Sequence, residues 1–121
     1  MSEKLQMSLK MKWFEMTKAG IKTEDYREIN EYWVKRLVNP LPKNMAISYR
    51  TVEALIKGYS EERGFKKFDF NIMTLGYPKS TDTERILKLE HKGIEIGYGN
   101  PEWGAEPNKI YFIIKHGDII K

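Results

Sequence analysis

The chain of 121 residues has no cysteine, only two histidines and no long apolar run. Without cysteine, a disulfide scaffold, a thiolate metal site and a cysteine nucleophile are excluded. No stretch approaches the roughly 20 apolar residues of a membrane-spanning helix, so we expect no membrane partner. Residues 1–12 carry charge throughout and lack the apolar run of a signal peptide. These absences together predict a soluble, cytoplasmic protein.

Linkers, repeats and low-complexity tracts are also missing from the chain. A length of 121 residues is typical of a single domain, and it suffices for one hydrophobic core. The aromatic content of 12% and the net charge of +4 do not fit an intrinsically disordered chain. We therefore expect residues 1–121 to form one folded domain.

The chain is mildly basic, and the excess of positive charge lies in its middle. Lysine and arginine number 9 against 5 acidic residues over residues 30–79, but 6 against 5 over residues 1–29 and 6 against 7 over residues 80–121. A surface that binds a polyanion such as RNA has this kind of excess. An ordinary solvated surface gives the same count, so both interpretations stay open.

The beginning of the chain predicts a strand and then a helix. Leu5–Lys10 alternates loosely between apolar and polar residues, as a strand does. Four residues then follow with helix-like spacing: Trp13, Phe14, Met16 and Thr17. Gly20 stands where the C-cap glycine of this helix is expected. The following segment, Lys22–Ile29, is polar and fits either a loop or a strand.

Two more helices are predicted in the first half. Asn30 is a suitable N-cap for a short helix that carries Trp33 and Leu37, and Asn39-Pro40 ends it. A longer helix after Ser48 is predicted from four apolar residues with i, i+3, i+4, i+7 spacing. They are Val52, Leu55, Ile56 and Tyr59.

The second half changes to strand periodicity. Phe68–Thr74 alternates, and Ile86–Glu90 and Ile94–Ile96 form two β-rich runs divided by a turn or bulge at Lys92-Gly93. Ile110–Ile114 is a continuous apolar run, which is typical of a strand buried on both faces. Helices early and strands late predict an α+β fold with a small barrel or a strongly curved sheet.

Neither a metal nor a cofactor is expected from the sequence. His91 and His116 are far apart, and neither has a histidine or carboxylate at ligand spacing within a helix. Gly97-Tyr98-Gly99 resembles a phosphate loop only superficially, because a third glycine and a following helix are lacking. The ordinary interpretation of both histidines is a strand-end or partly buried side chain.

Two tryptophans lie in segments that fit either a position in the core or a contact with nucleic acid. Trp103 lies in the Gly- and Pro-rich segment from Gly97 to Pro107, where a tryptophan either covers the core or offers a stacking platform for a base. Trp33 lies in Tyr32–Arg36, where cations and rings are interleaved as on nucleic-acid surfaces. The same pattern also describes an amphipathic helix with its rings in the core.

The charged segment from Gly20 to Glu28 is the most informative part of the chain. If it is extended, Lys22 and Tyr26 lie on one face, and Asp25 and Arg27 lie on the other. A tight turn would instead bring Lys22, Asp25 and Arg27 together, where the cations would bind phosphate and the carboxylate would orient them. A lysine beside other cations can also serve as a base. A solvent-exposed set of ion pairs is the structural alternative.

The sequence resembles the ASCH family, small PUA-like β-barrel domains linked to RNA. The family motif is glycine, any residue, lysine, two of any, glutamate, any, arginine; Gly20, Lys22 and Arg27 match it, and Asp25 stands at the glutamate. Three further stretches resemble a subgroup of small bacterial and phage-associated members: residues 89–94, 99–107 and 111–115. The resemblance covers nearly the whole chain except about residues 40–64, which resemble a helical insertion.

This resemblance implies a mostly antiparallel PUA-like barrel with two or three flanking helices and a basic cleft lined by the motif. Its implied partner is RNA or a modified nucleotide. One branch of the family removes the acetyl group from acetylated cytidine with a lysine, a threonine and a glutamate. Lys22 matches that lysine, Asp25 stands at the threonine, and no residue is matched to the glutamate. Ribonuclease activity is also associated with the fold.

Two functional hypotheses follow from the residues and the resemblance. In a binding module, Lys22 and Arg27 contact phosphate or a base edge, Asp25 fixes Arg27, and Trp103 or Tyr26 stacks on a base. In a hydrolase, an amidohydrolase or ribonuclease, Lys22 is the base or stabilises developing negative charge, with a carboxylate partner. Asp25 and Glu90 are the candidates for that partner. A third hypothesis is a protein-interaction module built on the insertion at about residues 40–64.

Overall fold

A computed structural model of the chain describes residues 3–38 and 65–120. Over these residues the chain forms five strands and two helices, which confirms the predicted α+β class. In chain order the elements are β1 (Lys4–Leu9), α1 (Met11–Lys18), β2 (Glu24–Arg27), α2 (Glu31–Leu37), β3 (Phe70–Leu75), β4 (Ile86–Tyr98) and β5 (Ile110–Ile119). The helix predicted after Ser48 and the helical insertion predicted at about residues 40–64 lie outside the described residues.

The five strands form one mixed sheet in the order β1-β3-β4-β5-β2. β1 runs parallel to β3, with Lys4 opposite Phe70, and β3 runs antiparallel to β4, with Phe70 opposite Glu90. Parallel neighbours need a long connection in sequence, and α1, β2 and α2 lie between β1 and β3 along the chain. A mixed sheet of this kind is compatible with a small barrel-like fold.

The chain divides into two compact units. The described residues of the first unit are 3–25, 67–93 and 114–120, and those of the second unit are 26–38, 65–66 and 94–113. The candidate site described below belongs to the first unit. One domain over the whole chain stays a prediction.

The first unit contains the strand and the helix predicted at the start of the chain. β1 begins one residue earlier than predicted and buries Leu5, Met7 and Leu9 on one face, as its alternation requires. α1 buries Phe14, and its chain direction changes after Ala19 because Gly20 adopts a left-handed φ of +78°. The predicted C-cap glycine is thus confirmed, and it sends the chain into the segment that carries Lys22.

The second unit contains α2 and part of the long strands. The Asn30 side chain accepts a hydrogen bond from the Trp33 backbone N–H at 3.0 Å, which confirms the predicted N-cap. α2 buries Val34 and Leu37. The ring of Phe112 on β5 is fully buried and lies 5.9 Å from the ring of Phe65 in an edge-on arrangement.

One predicted strand pattern needs correction, at β4, and another is confirmed, at β5. The sequence divides this region into two runs at Lys92-Gly93, whereas the structure has one strand of 13 residues, Ile86–Tyr98. Gly93 adopts a φ of +117°, a conformation that favours glycine, inside this continuous strand. Within Ile110–Ile114, four residues are buried in succession, which confirms the strand predicted to be buried on both faces.

Candidate functional site

A buried ion pair between Lys22 and Asp25 forms the centre of the candidate site. The Lys22 ammonium lies 2.6 Å from Oδ1 of Asp25, and it also donates to the backbone carbonyl of Glu24. Lys22 is 2% exposed and Asp25 is 4% exposed. Full burial of a lysine is rare without a partner, because an ammonium loses its hydration there. The tight-turn alternative of the sequence analysis therefore describes Lys22 and Asp25 correctly.

The local backbone explains why these two side chains meet. Lys22 lies in the turn between α1 and β2, and its N–H, like that of Ile21, donates to the carbonyl of Met16 at the end of α1. β2 begins only at Glu24, so strand alternation does not yet apply to Lys22. The turn places the lysine side chain beside Asp25, three residues further along the chain.

His116 on β5 binds the other oxygen of the same carboxylate. Its Nε2 lies 2.9 Å from Oδ2 of Asp25, and its backbone N–H donates to the carbonyl of Thr23 at 2.9 Å. The His116 side chain is 1% exposed. Both carboxylate oxygens of Asp25 are therefore hydrogen-bonded, one to a lysine and one to a histidine.

Asn71 on β3 continues this chain of polar contacts to a second histidine. It is fully buried, and its side-chain nitrogen lies 2.7 Å from Nδ1 of His116 and 3.2 Å from the carbonyl of Lys115. Its side-chain oxygen lies 2.7 Å from Nδ1 of His91 on β4. We call these five connected side chains the buried polar network: Lys22, Asp25, His116, Asn71 and His91.

The network lowers the pKa of Asp25. Burial by itself would raise the pKa of this carboxyl, but the hydrogen bond from His116 and the charge of Lys22 outweigh burial and lower the pKa from 3.8 to about 2. Asp25 is consequently an ionised carboxylate at neutral pH. At the other end, burial and the neighbouring His116 lower the pKa of His91, while Asp69 opposes that shift.

A pocket of about 340 Å³ adjoins the network, and all of its lining residues belong to the first unit. Lys22 and His116 form part of its wall, together with the end of α1 at residues 17–20 and the end of β5 at residues 117–119. Leu89 adds an apolar surface. Its volume lies at the lower end of the range for small-molecule sites.

Glu90, a further candidate of the sequence hypotheses, belongs to the first unit and pairs with Lys92 at 2.8 Å, while Asp25 pairs with Lys22. Tyr26, Arg27 and Trp103 belong to the second unit.

Within the second unit, two tyrosine hydroxyls hold the loop that carries Trp103. The Tyr26 hydroxyl accepts from the backbone N–H of Asn100 at 2.9 Å, and the Tyr111 hydroxyl accepts from that of Glu106 at 3.0 Å. Trp103 itself is half-buried. The ordered loop predicted around Trp103 thus has defined anchors, which rigidify a segment that lacks regular strands.

The Arg27 guanidinium of the second unit contacts an aromatic ring. Its Cζ lies 4.9 Å from the ring centre of Trp33, and Cζ of Arg36 lies 4.8 Å from the same ring. Such stacking contributes cation–π attraction. Trp33 is half-buried, so neither the core interpretation nor the surface interpretation describes it completely.

His116 and Asn71 are the site residues that sequence reasoning missed. His116 is 45 positions from Asn71 and 91 positions from Asp25, so no local spacing connects them. The one available signal was a polar residue, Asn71, inside a strand of otherwise apolar alternation. Among the described residues, no group of three or more histidine, cysteine, aspartate or glutamate side chains is arranged to hold a metal ion.

Comparison with protein-family models, with curated proteins and with solved structures finds no match to the chain. Residues 3–38 and 65–120 include no helix long and apolar enough to cross a membrane.

Proposed function

We propose that the chain binds a single modified nucleoside in the pocket beside Lys22. The observation that carries the proposal is a buried, ion-paired lysine in the wall of a pocket of about 340 Å³. The resemblance of Gly20, Lys22 and Arg27 to the ASCH motif supplies the ligand class. A PUA-like barrel is part of the same proposal.

The size of the pocket favours a nucleoside over a nucleic-acid strand. Sites for single-stranded nucleic acid extend over several nucleotides, about 4–16 for one binding domain, and follow the backbone along a groove. The pocket in the first unit is compact and has room for one base and its sugar. If a nucleic-acid strand were bound, only one of its nucleotides would enter this pocket.

The charges around the pocket favour a ligand without phosphate. Lys22 already neutralises Asp25 at 2.6 Å, and the remaining charged residues of the wall are Lys18 and Asp118, one of each sign. The net charge is therefore close to zero. A phosphate at Lys22 would compete with Asp25 for the ammonium and would leave a buried carboxylate with one partner fewer.

The chemistry of the wall agrees with a neutral heterocycle. An ammonium group donates hydrogen bonds and accepts none, so the atom that Lys22 contacts is an acceptor such as a carbonyl oxygen. Leu89 and Ile119 supply apolar surface for a ring. Pockets for small molecules typically combine such apolar walls with a few placed polar groups.

A calorimetric binding assay tests the proposal. The ligands are N4-acetylcytidine, cytidine, uridine and the corresponding 5′-monophosphates. We expect at least one free nucleoside to bind, Lys22→Met to weaken its binding by about tenfold or more, and a 5′-phosphate to give no gain. The matched control is Lys4→Met, which removes the same charge from an exposed position on β1 of the same unit. Equal loss in both variants would overturn the proposal.

The contact between Asp25 and His116 favours a second candidate, a hydrolase that acts on the same ligand. A lysine supported by a carboxylate and an imidazole can stabilise negative charge on the oxygen of an amide under attack. Hydrolysis would add water to the acyl carbon, break its bond to the base nitrogen, and release acetate and the free amine. Chromatography of N4-acetylcytidine after incubation with wild type and Lys22→Met detects this reaction. Unchanged ligand with Lys22-dependent binding leaves the binding function alone.

A further inference from the structure

The amide of Asn71 has a fixed orientation. Its side-chain nitrogen lies 3.2 Å from the backbone carbonyl of Lys115, and a carbonyl oxygen only accepts hydrogen bonds. The NH₂ group, and not the amide oxygen, must therefore face Lys115. The same NH₂ group lies 2.7 Å from Nδ1 of His116, so Nδ1 is the acceptor in that contact.

This orientation determines where the protons lie on both histidines. Because Nδ1 of His116 accepts, its ring proton is on Nε2, and this N–H donates to Oδ2 of Asp25 at 2.9 Å. The oxygen of Asn71 in turn accepts from Nδ1–H of His91 at 2.7 Å. Every hydrogen bond of the network then has one donor and one acceptor.

We propose that Asn71 and His116 are positioning residues for Lys22. Asn71 keeps the His116 proton on Nε2, the Nε2–H holds Oδ2 of Asp25, and Oδ1 is thereby directed at the Lys22 ammonium. This inference rests on the proposed function, because it makes Lys22 the fixed donor for an acceptor oxygen of the ligand. It assigns roles to two residues that do not belong to the motif segment.

The alternatives to this arrangement are costly inside the protein. Without the Nε2–H, Oδ2 would be a buried carboxylate oxygen with no donor, and such groups destabilise the folded state or take up a proton. Asp25 and Lys22 lie on one side of His116 and His91 on the other, with Asp69 acting on His91, and the Glu90 and Lys92 side chains lie beside Gly117. Asn71 separates the two histidines, so a second ring proton on His116 would face its NH₂ group.

The first test is the tautomer of His116, measured from the imidazole nitrogen shifts in long-range ¹H–¹⁵N spectra at neutral pH without ligand. We expect a protonated Nε2 and an unprotonated Nδ1 in wild type. Asn71→Asp replaces the donor with an acceptor and should move a proton onto Nδ1. His91→Gln is the matched control, since its amide still donates to the Asn71 oxygen and should leave the His116 shifts unchanged. An Nδ1–H on His116 in wild type overturns the inference.

The second test compares His116→Gln with His116→Leu. The glutamine amide can donate to Asp25 as Nε2–H does, whereas leucine cannot. We expect the pKa of Asp25, followed by carboxyl ¹³C shifts, to stay low in His116→Gln and to rise in His116→Leu. We also expect His116→Leu to weaken nucleoside binding by about tenfold and His116→Gln to change it by less than about threefold.

The outcomes separate this inference from the proposed function. If the two His116 variants titrate and bind alike, the positioning role is wrong, even where Lys22→Met still abolishes binding. If wild type binds no nucleoside, the proposed function fails, while the His116 tautomer and the Asp25 titration still decide the arrangement within the network. Thermal unfolding curves confirm that each variant is folded before the comparison is made.

Discussion

Asp25 and His116 are separated by 91 positions in the chain, yet Oδ2 of one lies 2.9 Å from Nε2 of the other. With Lys22 on Oδ1 at 2.6 Å, both oxygens of this buried carboxylate are hydrogen-bonded. The arrangement joins the motif segment around β2 to the end of β5. Two of the three residues, Lys22 and His116, also line the pocket of the first unit.

The buried pair should contribute strongly to stability when only one partner is removed. We expect Lys22→Met or Asp25→Leu alone to lower the free energy of unfolding by about 3–5 kcal/mol, because each leaves a buried charge without its partner. The double variant should lose less free energy of unfolding than the two single variants lose together. Urea unfolding measures all three. The exposed pair of Glu31 and Lys35 is the matched control, and its disruption should cost about 0–1 kcal/mol. Additive losses at Lys22 and Asp25 would contradict the interpretation.

Acid should destabilise the protein through Asp25. The folded state lowers the pKa of Asp25 from 3.8 to about 2, so the unfolded state takes up this proton first as the pH falls. The contribution is fully present above pH 3.8 and is lost as the pH falls through about 2, and it amounts to about 2 kcal/mol. Unfolding at a series of pH values should show this loss in wild type. A wild-type curve with the same slope as that of Asp25→Asn below pH 4 speaks against it.

His91 should add a separate dependence at higher pH. Burial and His116 lower its pKa below 6.5 in the folded state, so the unfolded state binds a proton more readily. Stability should therefore fall as the pH drops from 6.5 toward the lowered pKa. In His91→Gln this part of the curve should be flatter. Parallel curves for the two proteins between pH 7 and pH 5 would show that His91 titrates as it does in an unfolded chain.

A side chain at position 99 should lower the stability of the protein. A Cβ built there would lie 2.6 Å from Cβ of Ala105 and 2.9 Å from the Tyr26 ring, and Gly99 has no left-handed φ that would add strain. We expect Gly99→Ala to lower the free energy of unfolding by about 1–3 kcal/mol through overpacking. Gly97→Ala is the control, since its Cβ would meet Ile113 at an ordinary 3.5 Å. Equal stability of the two variants in urea would contradict the steric account.

The sequence predicts the elements better than it predicts the site. β1, α1 with its cap at Gly20, α2 with its cap at Asn30, and the buried run in β5 follow from local periodicity and capping, which depend on neighbouring residues. β3 shows the limit: its apolar alternation places Phe70 and Ile72 together, but the fully buried side chains are Asn71 and Met73. Which face of a strand is buried depends on the neighbouring strands and helices.

The motif segment illustrates the same limit at the site. Local sequence left open whether Lys22 and Asp25 would meet, because a strand and a turn both fit the residues. The structure starts β2 only at Glu24, which produces the turn. The partners on the far side, His116 and Asn71, come from strands distant in sequence, and only the sheet order brings them beside Asp25. A single sequence carries little local information about such long-range contacts.

The decisive measurement is the calorimetric titration of N4-acetylcytidine and of its 5′-monophosphate into wild type and Lys22→Met, each at roughly 50 mM and 300 mM salt. We expect binding that depends on Lys22, changes little with salt and gains nothing from a 5′-phosphate, because Asp25 already neutralises the ammonium. Binding of the monophosphate alone, weakening steeply with salt, would place a phosphate at Lys22 and would contradict a site for a neutral nucleoside.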